Sequence, residues 1–145
     1  MKKSIFKLTV VFALILVLSF VPAMAGNSNY NFNLSLSGRT FIPDRNSGNN
    51  KINAWQPWIV RVDYMSYSDP SQLTGTLGTA FAPAYYESYD YVICGGVQWA
   101  KTAGRYNQGS WNNGSTGKRY LTARQDDLLS CTSSTYGVWN ADSTY

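Results

Sequence analysis

The run Gln56-Pro57-Trp58-Ile59-Val60-Arg61-Val62-Asp63-Tyr64-Met65-Ser66-Tyr67 is the longest stretch of strong strand formers after the apolar N-terminal segment. It constrains the fold more than any other part of the chain. β-Branched and aromatic side chains suit a pleated, half-buried surface, and Pro57, which lacks a backbone donor, suits a strand start. Successive side chains of a strand point to opposite faces. Trp58, Val60, Val62 and Tyr64 are therefore expected to face the core, with Ile59, Arg61, Asp63, Met65 and Tyr67 on a mixed opposite face.

Tyr30 to Ser37 alternates strictly, with Tyr30, Phe32, Leu34 and Leu36 on one side and Asn or Ser on the other, before Gly38; this predicts a strand with one wet face. Asp44 to Lys51 is rich in turn residues and reads as an exposed loop. Ser68-Asp69-Pro70-Ser71 is a turn by composition. Leu73 to Phe81 reads as a weaker strand ended by Pro83. Gly95-Gly96, after Val92-Ile93-Cys94, is either a tight turn between two strands or a bulge within one. Asn107-Gln108-Gly109 and Asn112-Asn113-Gly114 are turn signals, Lys118 to Arg124 alternates again, and Ser134 to Asn140 is a closing strand. No helical period of useful length occurs. The expectation is an all-β protein, a small antiparallel β-sandwich or partly open barrel of about six to eight short strands.

Residues 1–25 read as a cleaved signal peptide: Lys2, Lys3 and Lys7 precede the apolar run Leu8 to Phe20, and Ala23-Met24-Ala25 fits a peptidase site. The apolar run is shorter than the roughly 20 residues that span a bilayer, so a secreted domain, residues 26–145, with no membrane span after cleavage is expected. Without the three leader lysines, nine basic residues face eight acidic ones. A near-neutral domain with no basic run gives no footprint for nucleic acid. Only 19 of its 120 residues are Leu, Ile, Val or Phe, but all 11 Tyr and 5 Trp fall within it, and large aromatic rings supply the missing apolar area. In an exported chain, Cys94 and Cys131 are expected to form a disulfide; two buried free thiols are the alternative.

The sequence has no histidine, which removes the usual catalytic triads, His-based zinc sites and the ordinary proton shuttle near neutral pH. No phosphate loop, dinucleotide fingerprint or other cofactor motif occurs, and Asp44 is the one carboxylate in its loop, too few for a calcium site. The remaining enzymatic route is a carboxylate pair on a glycan, drawn from Glu87, Asp90, Asp126 and Asp127. Neighbouring aspartates on loops are commonly solvated turn residues, and a non-enzymatic protein is expected. Trp55, Tyr85, Tyr86, Tyr89 and Trp111 lie among Asn, Gln, Gly and Ser. They are candidate binding aromatics that could stack on sugar faces or on another protein, the alternative being that they are core.

The Lys-rich leader, the Asn/Tyr/Phe opening strand, Pro57 to Val62, Gly75-Thr76 to Phe81 and the ending Tyr136-Gly137-Val138-Trp139-Asn140-Ala141-Asp142 together resemble a family of small secreted Firmicutes proteins of unknown function. More loosely, they are similar to the lactococcin-like bacteriocins, exported small β-sandwiches. The resemblance implies a secreted, bacteriocin-like or cell-envelope-associated protein and transfers no catalytic or ligand residues. The residues alone add a second expectation, a module for cell-wall glycan or another cell-surface component.

Overall fold

The computed structural model describes residues 26–35, 40–107, 111 and 115–142. The leader reading, Leu36 to Gly38, and the turn signals at Gln108-Gly109 and Asn112-Asn113-Gly114 lie outside the described residues. The strands are β1 (Ser28–Leu34), β2 (Ile42–Pro43), β3 (Asn49–Lys51), β4 (Ile59–Tyr67), β5 (Thr79–Glu87), β6 (Asp90–Ile93), β7 (Gln98–Ala100), β8 (Gly104–Asn107), β9 (Gly117–Gln125) and β10 (Ser133–Asn140). One turn of 3-10 helix, Pro70–Leu73, interrupts them.

Two antiparallel sheets result, one ordered β1-β10-β4-β8 and the other β2-β9-β5-β6, with β3 also on β9 and β7 also on β5. The sandwich is as expected, with more strands than expected because β2, β3 and β7 are ladders of two or three residues. Tyr30, Phe32, Leu34, Trp58, Val60, Val62 and Trp139 of the first sheet meet Phe81, Leu121 and Ala123 of the second in one core. Phe81 lies 5.6 Å from the Tyr30 ring and 6.4 Å from that of Phe32, so aromatic contacts bind the two layers together.

Four expectations are corrected. Tyr64 is not a core residue. Gly137 pairs with Val62 and Tyr136 with Tyr64, leaving Asp63 as an extra residue on β4. Such a bulge reverses which face each later side chain takes. Tyr64 therefore turns outward, stacked on Tyr136 at 5.1 Å, while Tyr67 turns in. Gly137 fits this bulge because a Cβ there would overlap the Arg61 carbonyl oxygen.

The Asp44 to Lys51 segment is not simply an exposed loop, since Ser47, Asn49 and Lys51 are buried. Their polar groups bond within the protein: Ser47 Oγ accepts from Leu121 N (2.9 Å), and Ser47 O accepts from Trp139 Nε1 (2.7 Å). Nor does Pro83 end its strand. Its carbonyl accepts from Cys94 N, so its donor-less nitrogen faces the same side, at the gap between β6 and β7 where no ladder bond is required. Both of these strands pair with β5, so Gly95-Gly96 interrupts a single edge rather than turning it. Gly95 is pressed against Pro83, where a Cβ would approach Pro83 Cγ to 2.5 Å.

Finally, Cys94 and Cys131 form no disulfide; both are free and buried. Cys94 belongs to the main core, whereas Cys131 packs with Tyr67 and Leu129 in a separate cluster. The two thiols sit under different parts of the sandwich, and each behaves as a small buried hydrophobe.

Candidate functional site

Two of the five candidate aromatics, Tyr86 and Tyr89, belong to one continuous surface, and the second sheet explains why. On β5, Phe81 points into the core, so alternation sends Ala80, Ala82, Ala84 and Tyr86 to the opposite face. That face is cupped. β2 and β6 are separated by two strands in the sheet order, yet both line one groove of about 550 Å³ whose walls are Thr40, Phe41, Pro43, Arg45, Tyr89, Asp90, Tyr91 and Ile93. The three alanines on that face are fully buried. Rings continue the surface: Tyr91 lies 5.0 Å from Tyr86 and meets Tyr120 edge-on at 5.3 Å. Arg124 is held between Phe41 (5.4 Å) and Trp99 (5.0 Å).

The β5–β6 turn overhangs this groove. Glu87 pairs with Asp90, leaving Ser88 and Tyr89 as the turn, both with positive φ (48° and 72°). A two-residue turn of this hand matches the twist of the strands it joins, but normally uses Asn-Gly. Here a tyrosine occupies a left-handed position, a strain of about 1 kcal/mol or more. It is held 95 % exposed at the tip. Strain of this kind recurs at ligand clamps.

The remaining candidates divide. Trp55 is 86 % exposed, its loop pinned by Trp55 N donating to Asn53 Oδ1. Trp111, in contrast, is buried and donates from Nε1 to Gln56 O at 2.7 Å. Tyr85 is half-buried against Arg119, and burial, with the Glu87 carboxylate adding, raises its phenol above the ordinary value. Trp111 and Tyr85 are thus core and its margin, while Trp55, Tyr86 and Tyr89 face solvent. Phe41, Arg45, Tyr91 and Tyr120 were not singled out in the sequence. Only Tyr91, two residues after the candidate Tyr89, carries a sequence signal.

A second polar assembly lies below this surface. The Lys51 ammonium is completely buried and donates to Asp142 Oδ1 (2.8 Å), Gln56 O (2.7 Å) and Ala141 O (3.1 Å), while facing the Trp111 ring at 4.3 Å. The other Asp142 oxygen accepts from Ile52 N (2.8 Å) and Asn53 N (3.3 Å). With all three ammonium protons engaged, this lysine is a structural cation rather than a nucleophile. Burial nonetheless draws its pKa below the ordinary value, against the pull of Asp142.

The carboxylates considered for catalysis are dispersed. Asp126 accepts from Leu77 N and Leu128 N and Asp127 pairs with Arg124, so both serve loops; Glu87 and Asp90 flank the exposed turn. Among the described residues, no cluster of three His, Cys, Asp or Glu side chains could hold a metal ion, and no helix is long and apolar enough to cross a membrane.

Fold and groove together define an antiparallel two-sheet protein with one cupped, ring-lined face. Comparison with protein-family models, with curated proteins and with solved structures gives no match. The resemblance to small secreted proteins therefore rests on its motifs alone.

Proposed function

We propose that this protein is a secreted, non-enzymatic β-sandwich that binds glycan of the cell envelope in the groove beneath the Tyr89 turn. The observation that carries this reading is Tyr89 itself, a fully presented ring in a strained backbone position above a groove walled by Phe41, Pro43, Tyr91 and Ile93 with polar groups between them. A volume of about 550 Å³ falls within the range of small-molecule sites, and flat rings interspersed with hydroxyl and charged groups suit a sugar, which offers an apolar face and a polar rim. The bacteriocin-like expectation draws on the resemblance and gains no support from the groove.

Calorimetric titration with soluble peptidoglycan fragments tests the reading. Tyr89→Ala and Tyr91→Ala are expected to weaken binding about tenfold each, the value of one stacking contact near 1.4 kcal/mol. Absence of heat with every envelope glycan, or full affinity in both variants, would overturn it.

A further inference from the structure

The groove carries two charges of opposite sign that the protein leaves unspent. Arg45, on the wall that follows β2, makes no ion pair, hydrogen bond or ring contact with any described residue. Asp90, on the β6 wall, accepts only from the adjacent Tyr91 N, through Oδ1 (2.7 Å), and Oδ2 is open. They do not pair with each other, although both line the same groove. Glu87 pairs with Asp90 across the turn, but alternation along β5 puts its side chain beside Tyr85, on the face away from Tyr86, so Asp90 is the carboxylate of the hairpin that lines the groove. Of the other cations near this surface, Arg124 is engaged with Asp127, Phe41 and Trp99 and Lys118 lies over the Tyr120 ring at 5.5 Å, so Arg45 is the cation that lines the groove itself.

From this arrangement we infer that the bound glycan is itself charged at both ends of the site: an anionic group, carboxylate or phosphate, meets Arg45, and an ammonium group meets Asp90, with the sugar lying on the rings between. The inference rests on the glycan-binding reading above and narrows its ligand to sugars that bear both charges, the chemistry of a glycan carrying an amino-acid substituent. Opposite potentials on the two walls also fix the direction in which such a ligand lies. Guanidinium suits the anionic end because it presents a planar fork of donors to carboxylate or phosphate.

The test uses four probes against the folded protein at low salt: a muropeptide whose stem ends in a free carboxylate and contains a diamino acid, the same compound with its side-chain amine acetylated, the same with its carboxylates amidated, and the unsubstituted N-acetylated disaccharide. Acetylation and amidation are each expected to weaken binding about fivefold, the upper range for a partly exposed ion pair. Arg45→Gln should lose that factor for carboxylate probes but not for the amidated one, and Asp90→Asn should lose it for amine probes but not for the acetylated one. Both effects should fade as salt rises. Equal binding of all four probes, unchanged in both variants, overturns the charge assignment while leaving glycan binding intact. Binding by none of the four overturns the glycan reading and this inference with it. Circular dichroism of both variants, at exposed positions, separates lost recognition from lost fold.

Discussion

The buried Lys51–Asp142 pair gives the sharpest test of how the sandwich is held together. Asp142→Ala would leave a buried ammonium with two carbonyl partners and strip the acceptor from Ile52 N and Asn53 N. Breaking one side of a buried ion pair costs about 3–5 kcal/mol, against a total stability of about 5–15 kcal/mol for an ordinary domain. Lys51→Met keeps the carboxylate on its two N–H donors, so its cost should fall toward the lower end, about 3 kcal/mol. In the double variant Lys51→Met with Asp142→Ala no charge remains buried, although Ile52 N and Asn53 N still lack their acceptor. Its cost should be less than the sum of the singles by about 1–3 kcal/mol. Urea unfolding of each variant, followed by the fluorescence of the buried Trp58, Trp111 and Trp139, measures all three. The pair is shielded from solvent, so high salt should leave these differences nearly unchanged. A cost below about 1 kcal/mol for Asp142→Ala, or strict additivity in the double variant, would refute the reasoning.

Two further outcomes follow from the core. Denatured without reductant, the protein should show two alkylatable thiols by mass spectrometry, whereas in the native state at pH 8 Cys94 should resist, because burial pushes its thiol from 9.0 up to about 11. A raised folded-state pKa means that its contribution to stability is complete below pH 9 and disappears as pH climbs through about 11. The lowered Lys51 pKa acts in the opposite sense, so the Cys94 effect is read as the difference in slope between the wild type and Cys94→Ala; identical slopes would contradict it. Gly137→Ala should destabilise by about 1–3 kcal/mol, because the new methyl overlaps the Arg61 carbonyl at the bulge. A neutral result in the same urea assay would mean that the bulge is softer than it looks.

The parts of this fold that the sequence made legible are those decided by neighbours along one strand. Tyr30, Phe32 and Leu34 alternate with asparagines, and that pattern names their buried face. Trp58, Val60 and Val62 were equally readable, but Tyr64 was not, since one residue added at Asp63 in response to β10 changes the phase without altering the pattern. Lys51 was misread for a different reason. Nothing in an Asn- and Gly-rich segment announces a buried cation whose partner is 91 positions away. The groove was half legible. Tyr86 and Tyr89 stood out as rings among polar residues, whereas Phe41 and Arg45 join them only because the second sheet curls, and curl arises from the summed twist of several strands.

The pairing of β1 with β10, which sets Ser28 against Trp139, has a consequence for the order in which this protein can fold. The β5–β6 hairpin closes over two residues and can form within about 10 μs. The first sheet cannot be completed locally, because β10 lies between β1 and β4: β4 can pair with β8 beforehand, but β1 must wait for β10, its partner in that sheet. Folding should therefore be gated by the arrival of β10, on the millisecond-to-second scale of long-range β topologies. Until then β1 and β4 each present an unpaired edge to any other strand within reach.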